Sequence, residues 1–555
     1  MKHLLTVFFI AIGIVSIAQN NIKTYEITYG NGERNIKIYY QNDILFLSGP
    51  KSKIAQYTNF NEKVNISLIS SNDSIYKLSN KLSELSEPLM IKEKTKVKIL
   101  GFKCKYAEYS YFSNKIEVWY TEKANVRGSL YSNYLPSAKS LVLKIKVNGS
   151  DRFEATNIRK LDTIKFKYLG KNAKEVNEAR FEELKINSRY TKLQIFENDT
   201  INFDPSRKIT PYDELANDVV YHFSRGTIVM KKIKLTAELK TNNQVFARLT
   251  NKSNGDAYDR TGSVFIIPAS KTHTILNACT DGLEQLPVYI DNDSNSFQGI
   301  RKEGDYEPAI EVMRFFTSFG VNHFNDKRPI NNYPWADEVV YKQEVSSLIP
   351  NTEDEVWVGV FIGNYDKGGH IISLELDIYP AWDEEDTTVV NYIQPLFSTV
   401  NILEASGQNY GILFDNDTLR VDFELPDSIS DLNLLFTTTG HGGWGEGDEF
   451  VPKLNQVIID GKIVFSIVPW RTDCATYRLS NPASGNFSNG LSSSDLSRSN
   501  WCPATLTPPY IIPLKELKSG NHKIKIIIDQ GKKSDDGSSA WSVSGILTGK
   551  IKHHE

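Results

Sequence analysis

The sequence predicts an all-β protein built from antiparallel sandwiches, because its hydrophobicity alternates and its turns are densely marked. Apolar residues recur at every second position along residues 232–239 and 373–379, a spacing that puts them on one face of a strand. Asp460 and Gly461 separate two further runs and form the dipeptide that a type I′ hairpin turn prefers. Gly, Asn, Asp and Pro punctuate the other short apolar runs, as they do in antiparallel sandwiches. The 27 Tyr, 27 Phe and 8 Trp residues suit sheet cores and could also stack on sugar rings.

Three β-rich domains are expected, since 555 residues correspond to roughly three domains. We assign residues 19–205 to a smaller N-terminal accessory domain, residues 206–384 to a first sandwich and residues 388–555 to a second one. A hinge at residues 380–382, followed by an acidic run, separates the two sandwiches. Residues 173–186 depart from the β pattern, because their charged and weakly amphipathic sequence predicts a helix or a helical linker.

The N-terminus carries the pattern of a secretory signal peptide. A short basic start precedes a nearly unbroken apolar run over residues 4–15 and a small-x-small site that ends at Ala18. We therefore expect residues 1–18 to be removed, leaving Gln19 first. The apolar run is too short to cross a bilayer, and no Cys follows the cleavage site to carry a lipid. The sequence predicts an exported protein, extracellular or periplasmic, without a membrane anchor.

Composition and missing motifs exclude several classes of function. A net charge of −3 and a pI near 6.4 give no electrostatic reason to expect a nucleic acid or an anionic membrane as partner. The chain lacks the H-E-x-x-H, G-x-S-x-G, P-loop and G-x-G-x-x-G motifs. Its nine His and four Met are too scattered for a copper centre, and residues 291–302 lack the Gly at the sixth position and the Glu at the twelfth that a calcium loop needs. We expect no metal and no cofactor, so any catalysis must use ordinary side chains, with carboxylates as the leading candidates.

Cysteine is sparse, which excludes a disulfide-dense scaffold. The four residues are Cys104, Cys279, Cys474 and Cys502, and none forms a C-x-x-C pair of the kind that binds zinc. Export would permit one disulfide among them, and the remaining two would be buried thiols.

Three short stretches carry residues that could build a ligand site. Residues 255–260 place two carboxylates and a guanidinium just before a predicted strand. Residues 437–450 are rich in Gly and in acidic side chains, so that backbone could approach a ligand closely. Residues 498–503 set an Arg and a Trp beside a Cys. Taken singly, these are also the patterns of a polar turn with a surface ion pair, a flexible loop, and core packing beside a disulfide.

The order and spacing of these stretches resemble the peptide-N-glycosidase F family of secreted bacterial glycoamidases, over about residues 220–550. The resemblance implies two tandem jelly-roll sandwiches. It implies that Asp259, followed by Arg260, is the principal catalytic acid and that Glu449 acts with it. Arg498 and Trp501 match sugar-binding residues of the family.

The same resemblance pairs Cys474 with Cys502, a bridge that would contribute about 3–4 kcal/mol by loop entropy. It also implies a reaction, the hydrolysis of the amide between asparagine and the first N-acetylglucosamine, which leaves Asp on the peptide. Asp259 would handle the proton at the amide and Glu449 would orient the water and hold the acetamido group. Arg260 would stabilise the oxyanion, while Asp256, Arg498 and Trp501 would bind the chitobiose core. The expected partners are N-glycosylated peptides or glycoproteins, and we expect a monomer.

Some positions depart from the family pattern. Gly255, Gly447 and Val451 stand where the family has cysteines near its catalytic acids. Ile362 and Asn364 stand where it has a third acidic residue and, two positions later, a Trp. These departures favour an alternative, a non-catalytic secreted glycan-binding or adhesion protein on the same sandwiches. A copper monooxygenase is a second alternative, because such enzymes also use paired sandwiches, but the His and Met supply disfavours it.

The N-terminal block has a resemblance of its own. Residues 99–105 and 117–121 look like small secreted bacterial domains named for a Gly-Leu-Pro-Gly-Leu-Ile motif, which is degraded here over residues 133–138. Some peptide-N-glycosidases carry an extra N-terminal β domain of this kind. We assign it no chemistry; it could stabilise the catalytic unit or contact the glycoprotein.

Overall fold

Antiparallel β-sheet dominates the described residues, so the all-β prediction is confirmed. A computed structural model describes residues 24–30, 35–47, 54–71, 74–82, 87–163, 166–327, 329, 334–381, 390–427, 429–442, 447–483, 492–532 and 539–551. The predicted signal peptide and most of the predicted acidic hinge lie outside these residues. The chain divides into two units, Met1–Arg189 and Tyr190–Glu555. None of the helices in the described ranges is long and apolar enough to cross a membrane.

The N-terminal unit is dominated by one large sheet. Its elements in chain order are β1 (Thr24–Gly30), β2 (Asn35–Gln41), β3 (Ile44–Leu47), β4 (Ile54–Asn59), β5 (Val64–Ser71), β6 (Ser74–Lys81), β7 (Met90–Lys92), β8 (Lys98–Ile99), β9 (Phe102–Lys103), β10 (Lys105–Tyr111), β11 (Asn114–Thr121), β12 (Leu141–Val147), β13 (Ser150–Leu161), β14 (Lys174–Glu175) and α1 (Glu178–Asn187). Twelve of these strands form a sheet in the order β14-β6-β5-β4-β3-β2-β1-β13-β12-β11-β10-β7. Only β14 pairs in parallel among them.

Two sandwiches make up the second unit. Its strands and α-helices in chain order are β15 (Thr191–Ile201), β16 (Val220–Phe223), β17 (Ile228–Lys234), β18 (Gln244–Ser253), β19 (Thr261–Pro268), α2 (Ile275–Asp281), β20 (Val288–Ile290), β21 (Ser296–Gln298), β22 (Ile310–Phe316), β23 (Val339–Glu344), β24 (Glu355–Ile362), β25 (His370–Tyr379), β26 (Val390–Ser398), α3 (Leu413–Asn416), β27 (Leu419–Leu425), β28 (Ile429–His441), β29 (Asn455–Ile459), β30 (Lys462–Ile467), β31 (Leu506–Thr507), β32 (Tyr510–Pro513), β33 (Gly520–Ile528) and β34 (Ala540–Ile551). The first sandwich packs the sheet β15-β25-β18-β23 on the sheet β16-β17-β24-β19-β22-β31. The second packs β26-β34-β28-β32 on β27-β33-β29-β30.

The core of each sandwich follows from the alternation in its strands. In the first, Leu249 and Leu374 from one sheet meet Val264 and Val358 from the other, and each is at most 3% exposed. Burying a side chain of this kind stabilises the fold by about 1.5–3 kcal/mol. β31 lies between strands of the second sandwich in sequence, yet it pairs with β22 of the first. The chain of the second sandwich therefore supplies an edge strand to the first.

The predicted hairpin is confirmed, whereas the predicted helix starts later than expected. Asp460 and Gly461 adopt φ values of 49° and 79° between β29 and β30, so the type I′ hairpin is confirmed. The predicted helix over residues 173–186 begins later, because Lys174 and Glu175 pair with β6 and the helix starts after the Asn177 cap.

The boundary between the accessory domain and the first sandwich lies earlier in the chain than the sequence predicted. The sequence predicted it at residue 205, whereas the first unit ends at Arg189 and β15 pairs with β25 inside the first sandwich. Strand periodicity indicates which residues form a strand but not which sheet accepts it, so this edge strand was assigned to the preceding domain.

Candidate active site

The loop before β19 is held by a buried ion pair. Asp256 is 2% exposed and accepts Arg260 Nε at 2.7 Å and Nη2 at 3.3 Å. The backbone N–H of Arg260 donates to Thr317 Oγ1 at 2.7 Å, and that hydroxyl donates to the carbonyl of Tyr258 at 2.9 Å. These bonds fix the backbone on both sides of Asp259, which lies between Tyr258 and Arg260.

Asp256 has a strongly acidic carboxyl group. Burial alone would raise its pKa, but His370, whose Nε2 lies 3.8 Å from Oδ2, and the hydrogen bonds from Arg260 outweigh burial and lower the pKa to about 2. The sequence predicted that Asp256 contacts a substrate. That contact stays a prediction; in the structure Asp256 is buried and its oxygens bind Arg260, so Asp256 holds Arg260 in place.

A buried neighbour fixes the backbone at Glu449 in the loop after β28. Asp448 is fully buried and its carboxylate accepts Trp541 Nε1 at 2.7 Å and the backbone N–H of Gly531 at 3.0 Å. The carbonyl of Glu449 accepts the backbone N–H of Ser499 at 2.9 Å. The Glu449 side chain keeps 20% of its surface exposed. Sequence reasoning missed Asp448, because a Gly-rich acidic stretch does not show which carboxylate turns inward.

The third stretch is tied to Cys474 by a disulfide and contacts the end of β28 through a tryptophan. Cys474 and Cys502 are bonded, 28 positions apart, as the resemblance implied. Trp501 donates from Nε1 to the carbonyl of Gly440 at 2.9 Å, and its ring stacks on Phe316 with centroids 4.4 Å apart. Trp501 is 3% exposed, and its contact with a sugar stays a prediction.

Arg498 brings the two predicted catalytic carboxylates together. Its Nη1 donates to Asp259 Oδ2 at 3.2 Å and to Glu449 Oε1 at 2.5 Å, although these residues lie on different sandwiches. Its Nη2 donates to the carbonyl of Ser493 at 2.6 Å, and the guanidinium lies 4.4 Å above the Trp501 ring. Because both acidic groups bind one nitrogen atom, their carboxylates are only a few ångströms apart.

Burial shifts both carboxyl groups toward the protonated form. It raises the pKa of Glu449 to about 7; Arg498 opposes that rise and the nearby Asp259 adds to it. Burial also raises the pKa of Asp259, again against the opposing charge of Arg498. Two close carboxyl groups titrate as a pair, so near neutral pH the pair can take up or release one proton. This arrangement suits the transfer of a proton to or from a bound group.

A second buried ion pair connects the sandwiches behind this site. Arg314, on β22 and 1% exposed, donates from Nε to Glu311 Oε1 at 2.6 Å and from Nη2 to Glu311 Oε2 at 2.7 Å. Its Nη1 reaches Thr439 Oγ1 at 3.1 Å and the carbonyl of Ser542 at 2.9 Å in the second sandwich. Thr439 in turn bonds His441, whose ring packs near Trp501. The sequence showed Arg314 only as part of a strand.

We expect Arg314→Met to lower the free energy of unfolding by about 3–5 kcal/mol, because the change leaves Glu311 buried without its partner. Urea denaturation followed by tryptophan fluorescence measures the loss. A double variant, Glu311→Leu with Arg314→Met, removes both charges and should recover part of the stability. A loss below about 1 kcal/mol in the single variant would show that the pair does not join the sandwiches.

The two departures found on β24 and after it do not supply an acid. Ile362 is fully buried and Asn364 is 1% exposed. Asn364 Oδ1 is buried without a hydrogen-bond partner among the described residues. Within the same described ranges, no group of three or more His, Cys, Asp or Glu side chains is arranged to hold a metal ion.

Comparison with known proteins matches three parts of the chain. Residues 192–378 match the family described as peptide-N-glycosidase F, N terminal, and residues 409–548 match peptide-N-glycosidase F, C terminal. Residues 14–183 match the family described as N-glycanase peptide, N-terminal domain. A search of curated proteins gave no match.

Two solved structures of a protein called PNGF-II are similar over nearly the whole chain. The one in space group P21 is 40% identical, covers 96% of this chain and 100% of its own, and superposes with a TM-score of 0.81. The one in space group C2 is also 40% identical, with 96% and 99% coverage and a TM-score of 0.77. This identity over this length, together with the two matched halves of the sandwich pair, shows that the chain belongs to the peptide-N-glycosidase F family.

Proposed function

We propose that this chain hydrolyses the amide between asparagine and N-acetylglucosamine, releasing N-linked glycans and converting Asn to Asp. The observation that carries this proposal is the convergence of Asp259 and Glu449 on one nitrogen of Arg498. An amide needs a positioned water, a stabilised oxyanion and a proton for its nitrogen, and two coupled carboxyl groups beside fixed cations can supply all three.

The proposed steps assign one task to each side chain. Asp259 takes a proton from the attacking water as its oxygen bonds to the amide carbon. Arg260, 25% exposed and held by Asp256, stabilises the negative charge on the carbonyl oxygen. Asp259 then returns the proton to nitrogen as the carbon–nitrogen bond breaks. The products are an aspartic acid side chain and a glycosylamine, which loses ammonia to water without help from the protein.

Glu449 acts before and during this attack. Its carboxylate accepts hydrogen bonds from the water and from the acetamido N–H of the first sugar, so it aligns both. Arg498 binds both acidic groups and so sets the distance between them. The guanidinium of Arg498 packs on the ring of Trp501. In this scheme Arg498 and Trp501 contribute to binding of the chitobiose core through the shape of the site. Substrates are N-glycosylated peptides or glycoproteins, met outside the cell after export.

Mass spectrometry of an N-glycopeptide incubated with the purified chain tests the reaction class. Conversion of the glycosylated Asn to Asp supports the amidase. A peptide that keeps one N-acetylglucosamine indicates an endoglycosidase instead. Unchanged peptide that nevertheless binds the chain supports the glycan-binding alternative, which Ile362 and Asn364 favour because neither can replace an acid.

Glu449 should also make folding stability and activity respond to pH in opposite directions. Its folded pKa of about 7 lies above the ordinary value of 4.5, so the folded state holds a proton that the unfolded state has released between these limits. Stability is therefore expected to fall by a few kcal/mol as pH rises from about 4.5 to 7. Activity should rise over the upper part of that range, because the ionised carboxylate accepts the two hydrogen bonds.

Thermal denaturation and kcat/KM, each measured from pH 4.5 to 8.5, check this expectation. Glu449→Gln cannot ionise, so this control should lose the pH-dependent part of the stability change. A Gln variant with an unchanged stability profile would contradict the assignment of the shifted group to Glu449.

A further inference from the structure

The loop over residues 363–369, which follows β24, packs beside the loop that carries Asp259, and we call it the wall. The backbone N–H of Gly363 donates to the carbonyl of Thr261 at 3.0 Å, directly after Arg260. Further along, the carbonyl of Gly369 accepts the N–H groups of Asn254 at 2.8 Å and Asp256 at 3.3 Å. The loop between Gly363 and Gly369 is therefore fastened at both ends to the segment that carries Asp259.

Tyr365 lies on this wall, is exposed to solvent and contacts neighbouring side chains. Its side chain is 52% exposed, and its ring lies 5.5 Å from that of Phe203. The Glu404 carboxylate lies near its hydroxyl. Burial and this carboxylate raise the pKa of Tyr365 to about 12, while the positive charge of Arg260 opposes the rise. The hydroxyl thus stays protonated at physiological pH, and the positive charge of Arg260 acts on it.

Glu404 lies between β26 and β27 of the second sandwich, yet it packs beside residues of the first. A side-chain carbon built at Gly363 would lie 3.5 Å from Glu404 Oε2, which places the carboxylate next to the start of the wall. Two residues on, Ser406 Oγ donates to Ser224 Oγ at 3.0 Å. The preceding Leu403 is fully buried. Tyr365 therefore has Glu404 near its hydroxyl and Phe203 beside its ring before any ligand arrives.

The charges around Tyr365 fit a neutral polyhydroxylated ligand better than an ionic one. Asp256 neutralises Arg260, and Glu404 would repel an anion. An exposed ring that is already ordered costs little entropy to use, and aromatic rings combine a wide apolar face with a polar tip. Beside it, the guanidinium and the carboxylate can bond sugar hydroxyl groups.

We propose that Tyr365, oriented by Glu404, is a specificity-determining residue whose ring packs against a pyranose ring of the glycan core. The inference rests on the proposed function for the identity of the ligand, a neutral oligosaccharide of N-acetylglucosamine. Tyr365 acts on binding rather than on proton transfer, since it lies on the wall and not between the two catalytic carboxyl groups.

Calorimetric titration with chitobiose, which has no asparagine amide to cleave, measures this binding directly. Tyr365→Ala should weaken chitobiose binding at least tenfold, while Tyr365→Phe, which keeps the ring, should weaken it less than about threefold. With a glycopeptide substrate, Tyr365→Ala should raise KM and leave kcat within about threefold. Tyr212→Ala is the matched control, because Tyr212 is 49% exposed on the same unit and should change neither quantity.

The outcomes separate this inference from the proposed function. Chitobiose binding that Tyr365→Ala leaves unchanged, or no binding by the unmodified chain, overturns the inference even if glycopeptide is cleaved. Binding that depends on Tyr365 in a chain that cleaves no glycopeptide supports the sugar subsite and overturns the amidase. Thermal melting of each variant shows that its fold is intact.

Discussion

The Asp259→Asn variant is expected to lose at least about a thousandfold in kcat/KM on an N-glycopeptide, or about 4 kcal/mol of transition-state stabilisation. Asn has nearly the same shape but can neither accept the proton of water nor return it to nitrogen. The variant should also keep its melting temperature or gain a little. The reason is that burial raises the pKa of Asp259, so a neutral side chain is easier to bury there.

Steady-state rates of Asn-to-Asp conversion, read by mass spectrometry, provide the measurement. Asp213→Asn changes an exposed carboxylate of the same unit and serves as the control, with an expected effect below twofold. A loss of less than tenfold in the Asp259 variant would remove Asp259 from the chemical step.

The second large effect is expected at Arg498. Arg498→Met leaves Asp259 and Glu449 facing each other without the cation that binds both, which raises the pKa of both and removes the ionised forms that the reaction uses. We expect kcat/KM at pH 7 to fall at least about a hundredfold. The free energy of unfolding should fall by about 3–5 kcal/mol at pH 8.

The pH dependence of that loss distinguishes electrostatics from packing. At pH 5 both carboxyl groups can protonate, so the stability difference from the unmodified chain should be much smaller than at pH 8. Arg498→Lys is the control, since one ammonium keeps the charge but cannot reproduce the fork that holds three oxygens. An equal stability loss at both pH values would show that Arg498 serves mainly as a packing residue on Trp501.

The fold and the outline of the site could be predicted because they depend on local patterns. Alternating hydrophobicity gave the antiparallel sandwiches, and Asp460 with Gly461 gave a hairpin whose φ values now confirm it. The resemblance implied the bond between Cys474 and Cys502, which is present. The catalytic roles of Asp259 and Glu449 stay a prediction; the structure shows that both side chains bind the same nitrogen of Arg498.

The supporting contacts could not be predicted, because each joins residues that meet only after the sandwiches dock. Nothing in the sequence around Asp448 distinguishes an anchor for Trp541 from the other acids of its loop. Likewise, the strand that carries Arg314 reads as ordinary β-structure until Thr439 and Ser542 of the other sandwich approach it. Nor did the sequence show that Asp256 and Trp501 are buried and each contact an arginine; their roles in binding the chitobiose core stay a prediction.

A double-mutant cycle between Asp259→Asn and Glu449→Gln, measured as kcat/KM on one N-glycopeptide, tests most directly whether the two acids act as one unit. Because both bind the same nitrogen of Arg498, we expect the double variant to be no more than about tenfold slower than the slower single variant. Losses that multiply in full would mean that the acids work independently, and would contradict a shared catalytic centre at Arg498.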